Sequence, residues 1–291
     1  MRKGGCRPFA APRQEAILSR LVLGLTTTLV LALAGAARAD PVPADALRAL
    51  CTDRPTKSTG PCTVDAGHWQ VEADLYDTTI QTSGGVTNTL ELFADPTLKL
   101  GLTNSLDIEI NIAPYERQTV KDHGITSRSD GAGDLYLRAK QNLLGEVGSG
   151  DLSVAVSPFL KLPTAGHTLS DGAVEGGVIV PVQFNLAGDW QLLFDPELDV
   201  LKNQVDDGRH LNAAGLISLS RPVSKTVTLS AELWADSNRD PAHATTQASA
   251  DFGAAYIPAS HPDLQLDGGV NAGLNRATPG VQVYVGLSHR F

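Results

Sequence analysis

Residues with reactive side chains are few in this chain of 291 residues. Cys51 and Cys62 lie close together in a Pro/Thr/Gly-rich stretch. In an exported protein that pair reads as a disulfide-closed loop. Two thiols alone are too few for a zinc site, which needs about four ligands. The histidines (His68, His123, His167, His210, His243, His261 and His289) fall mostly in loops, and none stands at metal-ligand spacing from another. The chain lacks a nucleophile elbow, a metalloprotease helix motif, a dinucleotide loop and a P-loop. Neither a catalytic residue nor a cofactor nor a metal is implied, and the expectation is a non-enzyme. What is abundant is carboxylate at every second position, as in Glu72 and Asp74, Asp107 and Glu109, and Asp195, Glu197 and Asp199. A spacing of two puts such groups on one face of a β-strand.

Strands must therefore position them, and the alternation supports strands throughout. In the last eleven residues Val281, Val283, Val285 and Leu287 alternate with Gln282, Tyr284, Gly286 and Ser288. One face is apolar and the other polar. The same pattern runs from Trp69 onward in about twelve stretches of roughly ten residues. Trp69, Val71 and Ala73 oppose Gln70, Glu72 and Asp74, and Leu90 and Leu92 oppose Glu91 and Phe93. Connectors alternate too. Those after even-numbered strands are short, such as 103–104 and 187–188; those after odd-numbered strands are longer and polar, such as 78–88, 119–133 and 237–247. Pro96, Pro114, Pro158, Pro181 and Pro196 fall inside the strand pattern, where each removes a ladder donor.

Residues 1–39 have the form of a cleaved secretory leader. Arg2, Lys3, Arg7, Arg13 and Arg20 precede the apolar run 21–34, and Ala37-Arg38-Ala39 is a small-x-small cleavage site. The rest of the chain carries 17 Lys and Arg against 31 Asp and Glu, a net charge of −14. Such acidity argues against nucleic acid as a partner. No segment beyond residue 40 holds the ~18 consecutive apolar residues of a membrane helix, so a membrane-spanning structure would have to be a barrel. Three parts follow: a leader over 1–39, a periplasmic segment over 40–66 with a Cys51–Cys62 bridge, and a β-domain over 67–291.

An even strand number with short turns at one end and long connectors at the other predicts an all-β, antiparallel up-and-down transmembrane barrel in a bacterial outer membrane. Trp69, Phe184, Trp190, Tyr256 and Phe291 fall on the apolar face at the short-turn end, as an aromatic girdle would. The polar face then lines a lumen. Its acids are Glu72, Asp74, Glu91, Asp95, Asp107, Glu109, Asp195, Glu197, Asp199, Glu232, Asp236, Asp251 and Asp267; its bases are Lys99, Arg138, Lys140, Lys161 and Arg290. So many carboxylates require water, and about twelve strands leaves room for a narrow pore. Basic strands on one side and acidic strands on the other could impose a transverse field, although local bridging would explain the same residues. The partners expected are membrane lipid and a small-molecule solute. The alternatives are a barrel enzyme with a surface Ser/His pair and a soluble β-barrel or sandwich that buries the apolar face.

Four stretches taken in order resemble a known family. They are Gly133-Asp-Leu-Tyr-Leu-Arg-Ala-Lys140, Pro158-Phe-Leu-Lys-Leu-Pro-Thr-Ala-Gly166, Leu264-Gln-Leu-Asp-Gly-Gly-Val270 and Val283-Tyr-Val-Gly-Leu-Ser-His-Arg-Phe291. The family is the outer-membrane transporter family named for the meta-cleavage pathway of phenol degradation. Ala165, between Thr164 and Gly166, is the one departure from its pattern. The resemblance spans about residues 65–291 and implies an outer-membrane channel for aromatic or other hydrophobic compounds. It also implies that Phe291 is the signal read by the barrel-assembly machinery.

Overall fold

A computed structural model describes residues 39–146 and 149–291. The leader, apart from Ala39, lies outside the described residues.

Alternating sequence produces fifteen strand segments among the described residues, in chain order. They are β1 (Trp69–Ser83), β2 (Val86–Thr103), β3 (Leu106–Ile112), β4 (Tyr115–Asp122), β5 (Ile125–Gly131), β6 (Leu135–Glu146), β7 (Ser149–Leu162) and β8 (Glu175–Ile179), followed by β9 (Val182–Asn185), β10 (Gln191–Lys202), β11 (Arg209–Pro222), β12 (Val227–Asn238), β13 (Thr245–Tyr256), β14 (Leu264–Gly273) and β15 (Val281–Arg290). β1 pairs antiparallel with β2 on one side and β15 on the other, so the sheet closes on itself. The fifteen segments form twelve staves, because β3 with β4, β5 with β6, and β8 with β9 are single staves interrupted midway. The fold is thus all-β, a closed twelve-stranded antiparallel barrel.

The prolines account for two of the interruptions. Pro114 lies between β3 and β4, and Pro181 between β8 and β9. Pro96, Pro158 and Pro196 sit within β2, β7 and β10 without ending them.

Two stretches expected as long connectors are largely strand. β1 and β2 continue to a two-residue turn at Gly84 and Gly85, and β4 and β5 to one at His123 and Gly124. All four turn residues have positive φ, the conformation two-residue hairpins require. The sequence signal at the first turn was Gly-Gly between Thr-rich arms. Both faces of these arms are polar, so the apolar alternation that marks the other strands is missing.

The interior is polar and the exterior apolar. Lys140, Asp107, Asp251 and Gln70 are among the most buried side chains, whereas Leu198 is 56% and Leu233 61% exposed.

Candidate functional site

Residues 39–68, the described chain before β1, do not lie beside the barrel. They run into the interior and form a plug. The Cys51–Cys62 bridge, with Cα atoms 6.4 Å apart, closes the base of a loop whose tip carries Asp53, Arg54, Lys57 and Thr59. Each tip residue meets the wall at a different place. Asp53 accepts hydrogen bonds from Lys140 at 2.6 Å and from Lys99, and its own N–H donates to Glu72 at 3.0 Å. Arg54 bridges Asp267 at 2.7 Å and Asp74 at 2.8 Å. The Lys57 ammonium donates to Ser249 and Asp251, and its backbone N–H donates to Glu232. The Thr59 N–H donates to Asp195 at 2.7 Å. Nearer the short-turn end, the Val64 N–H donates to Asp107, and Arg290 bridges Asp65 at 2.8 Å. The plug therefore touches β1, β2, β3, β6, β10, β12, β13, β14 and β15.

Charge and space both favour this seat. Burial pushes the Asp53 carboxyl up, but the ammonium groups of Lys140 and Lys99 outweigh it and hold Asp53 well below the usual carboxylate range. Burial opposes the charge on Arg54, and the carboxylates of Asp74 and Asp267 more than restore it. Wall glycines leave the room. A Cβ on Gly253 would stand 2.7 Å from Pro55, and one on Gly286 would overlap the Arg54 guanidinium.

The remaining residues of the polar face fall into three groups. Lys99, Lys140 and Arg138 cluster with Glu109 and Glu72, so the basic side of the wall is neutralised by neighbours and by Asp53. Lys161 bridges Glu175 and Asp171 at 2.8 Å each. Asp195, Glu197, Asp199 and Asp236 have no cation within bridging distance among the described residues; Asn212 donates to both Asp199 and Asp236. A simple opposition of basic and acidic walls is therefore not what the interior contains.

Glu91 must be corrected. It faces outward, accepting a hydrogen bond from the Tyr76 hydroxyl at 2.9 Å and lying 4.0 Å from Arg117. Leu90 and Leu92, expected outside, line the interior. The cause is a coordinated change of facing across three staves. β1 carries a bulge at Leu75, so Asp77 rather than Tyr76 turns inward to accept from Gln282 at 2.6 Å. β2 passes through a left-handed Ala94 with φ of 53°, and the third stave breaks at Pro114. Beyond these points the alternation continues with the opposite sense. On the outer surface the inversion gathers Tyr76, Phe93 and Tyr115, with centroid separations of 5.3 and 5.7 Å.

Of the aromatic rim residues, Trp69, Tyr256 and Phe291 are well exposed on the outer surface at the short-turn end. There the Phe291 N–H donates to the Trp69 carbonyl. Trp190 lies in the same end region beneath Arg221, and Phe184 packs edge-on against Phe194. Trp234, which carried no assignment from sequence, points inward; the Lys57 ammonium sits 4.6 Å from its ring. Its even position among the inward residues of β12 was the available signal.

Cavities lie on both sides of the plug. On the long-loop side a cavity of about 480 Å³ is lined by Leu90, Leu92, Asp95, Glu116, Tyr136 and Arg138, among others. It shares lining residues, including Arg138, with a space of about 200 Å³ against the plug tip. On the short-turn side about 390 Å³ lies between residues 49–60 and the wall. Among the described residues no group of acids, histidines or cysteines is arranged to hold a metal ion.

A family model described as "Putative MetA-pathway of phenol degradation" matches residues 52–291. No curated protein matches the chain. Among solved structures, the COG4313 outer membrane channel from Pseudomonas putida F1 is similar, with a TM-score of 0.59 at 15% identity over 79% of this chain and 97% of that one. The NanC porin aligns at a TM-score of 0.47 and 11% identity over 76% of this chain and 98% of that one.

Proposed function

The chain belongs to the MetA-pathway phenol-degradation family, and from that premise we propose that it is an outer-membrane channel for small molecules, with aromatic and other hydrophobic compounds as its solutes. One observation carries the reading: lysines and carboxylates are buried inside the barrel while leucines, valines and phenylalanines stand exposed around it. A water-soluble barrel would reverse that distribution. Hydrocarbon tails cover the outer band, and the aromatic rim sits at the interface. The short-turn end, where the described residues begin and end, faces the periplasm, and the long connectors face outside. The leader directs export, and Phe291 serves the barrel-assembly machinery. No catalytic step is part of the proposal.

The polar face is the solute path and the plug narrows it. Solutes pass around or with movement of residues 52–61, between the cavity of about 480 Å³ and that of about 390 Å³. Swelling of liposomes containing the purified protein, with phenols, sugars and amino acids as external solutes, tests this. Phenols should produce swelling. Absence of swelling with every solute, for the native chain and for variants lacking the Arg54 and Lys57 anchors, would exclude a channel.

A further inference from the structure

We propose that the cavity on the long-loop side of the plug binds small aromatic molecules that carry a protonated amine. The proposal rests on the channel reading only in that the ligand arrives through the outer mouth of the barrel.

The three-stave inversion builds one wall of this cavity. Leu90 and Leu92 face inward because Ala94 holds a left-handed conformation, which a non-glycine residue adopts only under strain. Bulges that re-aim side chains are frequent beside functional sites. Ala113 and Leu169 extend the apolar floor. A volume of about 480 Å³ accommodates one aromatic ring with a short side chain.

The polar wall is short of cations. Arg138, the basic residue of the lining, is held by Glu109 at 3.3 Å. Asp134 accepts from the Ala165 N–H and the Ser170 hydroxyl, with Lys161 at 3.7 Å. Asp95 receives the Asn111 amide at 2.9 Å but no cation, and Glu116 has no ion partner among the described residues. Gly133 lies against Glu116; a Cβ there would stand 3.1 Å from its Oε2. Two carboxylates without countercharge above an apolar floor match an arylalkylammonium ion, whose ring and charge are both satisfied. An aryl carboxylate would be repelled, and a neutral ring would leave the acids unmatched. A metal ion would gain nothing from the leucines.

Calorimetric titration of the detergent-solubilised full chain with 2-phenylethylammonium, 2-phenylethanol and 3-phenylpropionate, near neutral pH, tests the assignment. The ammonium ion should bind about tenfold or more tightly than the alcohol, and the carboxylate weakest. The double variant Asp95→Asn/Glu116→Gln should lower ammonium binding to the level of the alcohol and leave alcohol binding unchanged. Leu90→Ala/Leu92→Ala should weaken both. Heat-modified gel migration establishes that each variant is folded. Equal binding of ammonium and alcohol, stronger binding of the carboxylate, tight binding of calcium instead of the amine, or a preference that survives in the double variant would overturn the proposal. Liposome swelling by an uncharged phenol separates the two readings. Swelling without an amine preference overturns the binding site and leaves the channel; an amine preference with no swelling by any solute, in the native chain and in variants lacking the Arg54 and Lys57 anchors, does the reverse.

Discussion

At the residue scale the plug is held by charges that can be removed one at a time. Arg54→Ala leaves Asp267, fully buried, and Asp74 without their cation. Breaking a buried pair from one side costs about 3 kcal/mol. The expected outcome is faster hydrogen exchange at the amides of residues 53–60, with exchange in the barrel strands unchanged. Lys57→Ala uncovers the inward ring of Trp234, so iodide in the aqueous phase should quench more of the tryptophan emission than in the native protein. The acid response follows from Asp53. Its carboxyl is depressed in the folded state by Lys140 and Lys99 acting against burial. Its contribution is therefore complete above the ordinary carboxylate pKa of about 3.9 and is lost only as the pH falls below that value. Exchange at residues 53–60 followed against pH should stay slow through mildly acidic conditions; loss of protection near pH ~6 would mean that Asp53 is not the anchor. These residues illustrate what sequence can and cannot convey. Parity alone placed Lys99, Lys140, Asp195 and Asp251 on one face. Parity could not anticipate that Asp53 and Arg54, which belong to no strand, would be the partners of that face.

At the scale of elements, the alternation located most strands because one face meets an apolar surrounding and the other a polar one. It failed where that contrast was absent or reversed. The arms around Gly84–Gly85 and His123–Gly124 are polar on both faces, so they looked like loop. The stretch Leu90 to Phe93 alternates normally but with its sense inverted by the bulge at Leu75, the left-handed Ala94 and the break at Pro114. A bulge shifts facing by one residue, and nothing in a two-residue period announces it. The disulfide-closed loop is a separate element with its own stability. Removing a bridge across a loop of this size destabilises the closed conformation by about 3 kcal/mol. Cys51→Ser/Cys62→Ser should therefore keep the heat-modifiable migration of a folded barrel while residues 52–61 become open to added protease. Loss of the folded barrel band would show that the bridge supports more than the plug. Gly253→Leu should act on the same element from the wall side, since a Cβ at this position already overlaps Pro55.

At the scale of the whole molecule, one physical contrast organises the account. Carboxylates and ammonium groups are gathered inside a closed sheet, and Leu198, Leu233 and Phe252 are turned out. That contrast was legible from the period of the sequence and the parity of the strand count, whereas two of the connectors expected to be long are strand around two-residue turns. The occupancy of the interior was not legible, since a 27-residue span of Pro, Thr and charged residues reads equally well as a linker below a barrel or a stopper within it (40–66 here). The two views differ in how readily ions cross the barrel. The most direct test is single-channel conductance in planar bilayers, comparing the native chain with Arg54→Ala/Lys57→Ala. A lumen stoppered by its own N-terminal segment predicts a small native conductance that rises severalfold in the variant. Equal conductance in the two proteins, with both shown to be folded and inserted, would contradict it.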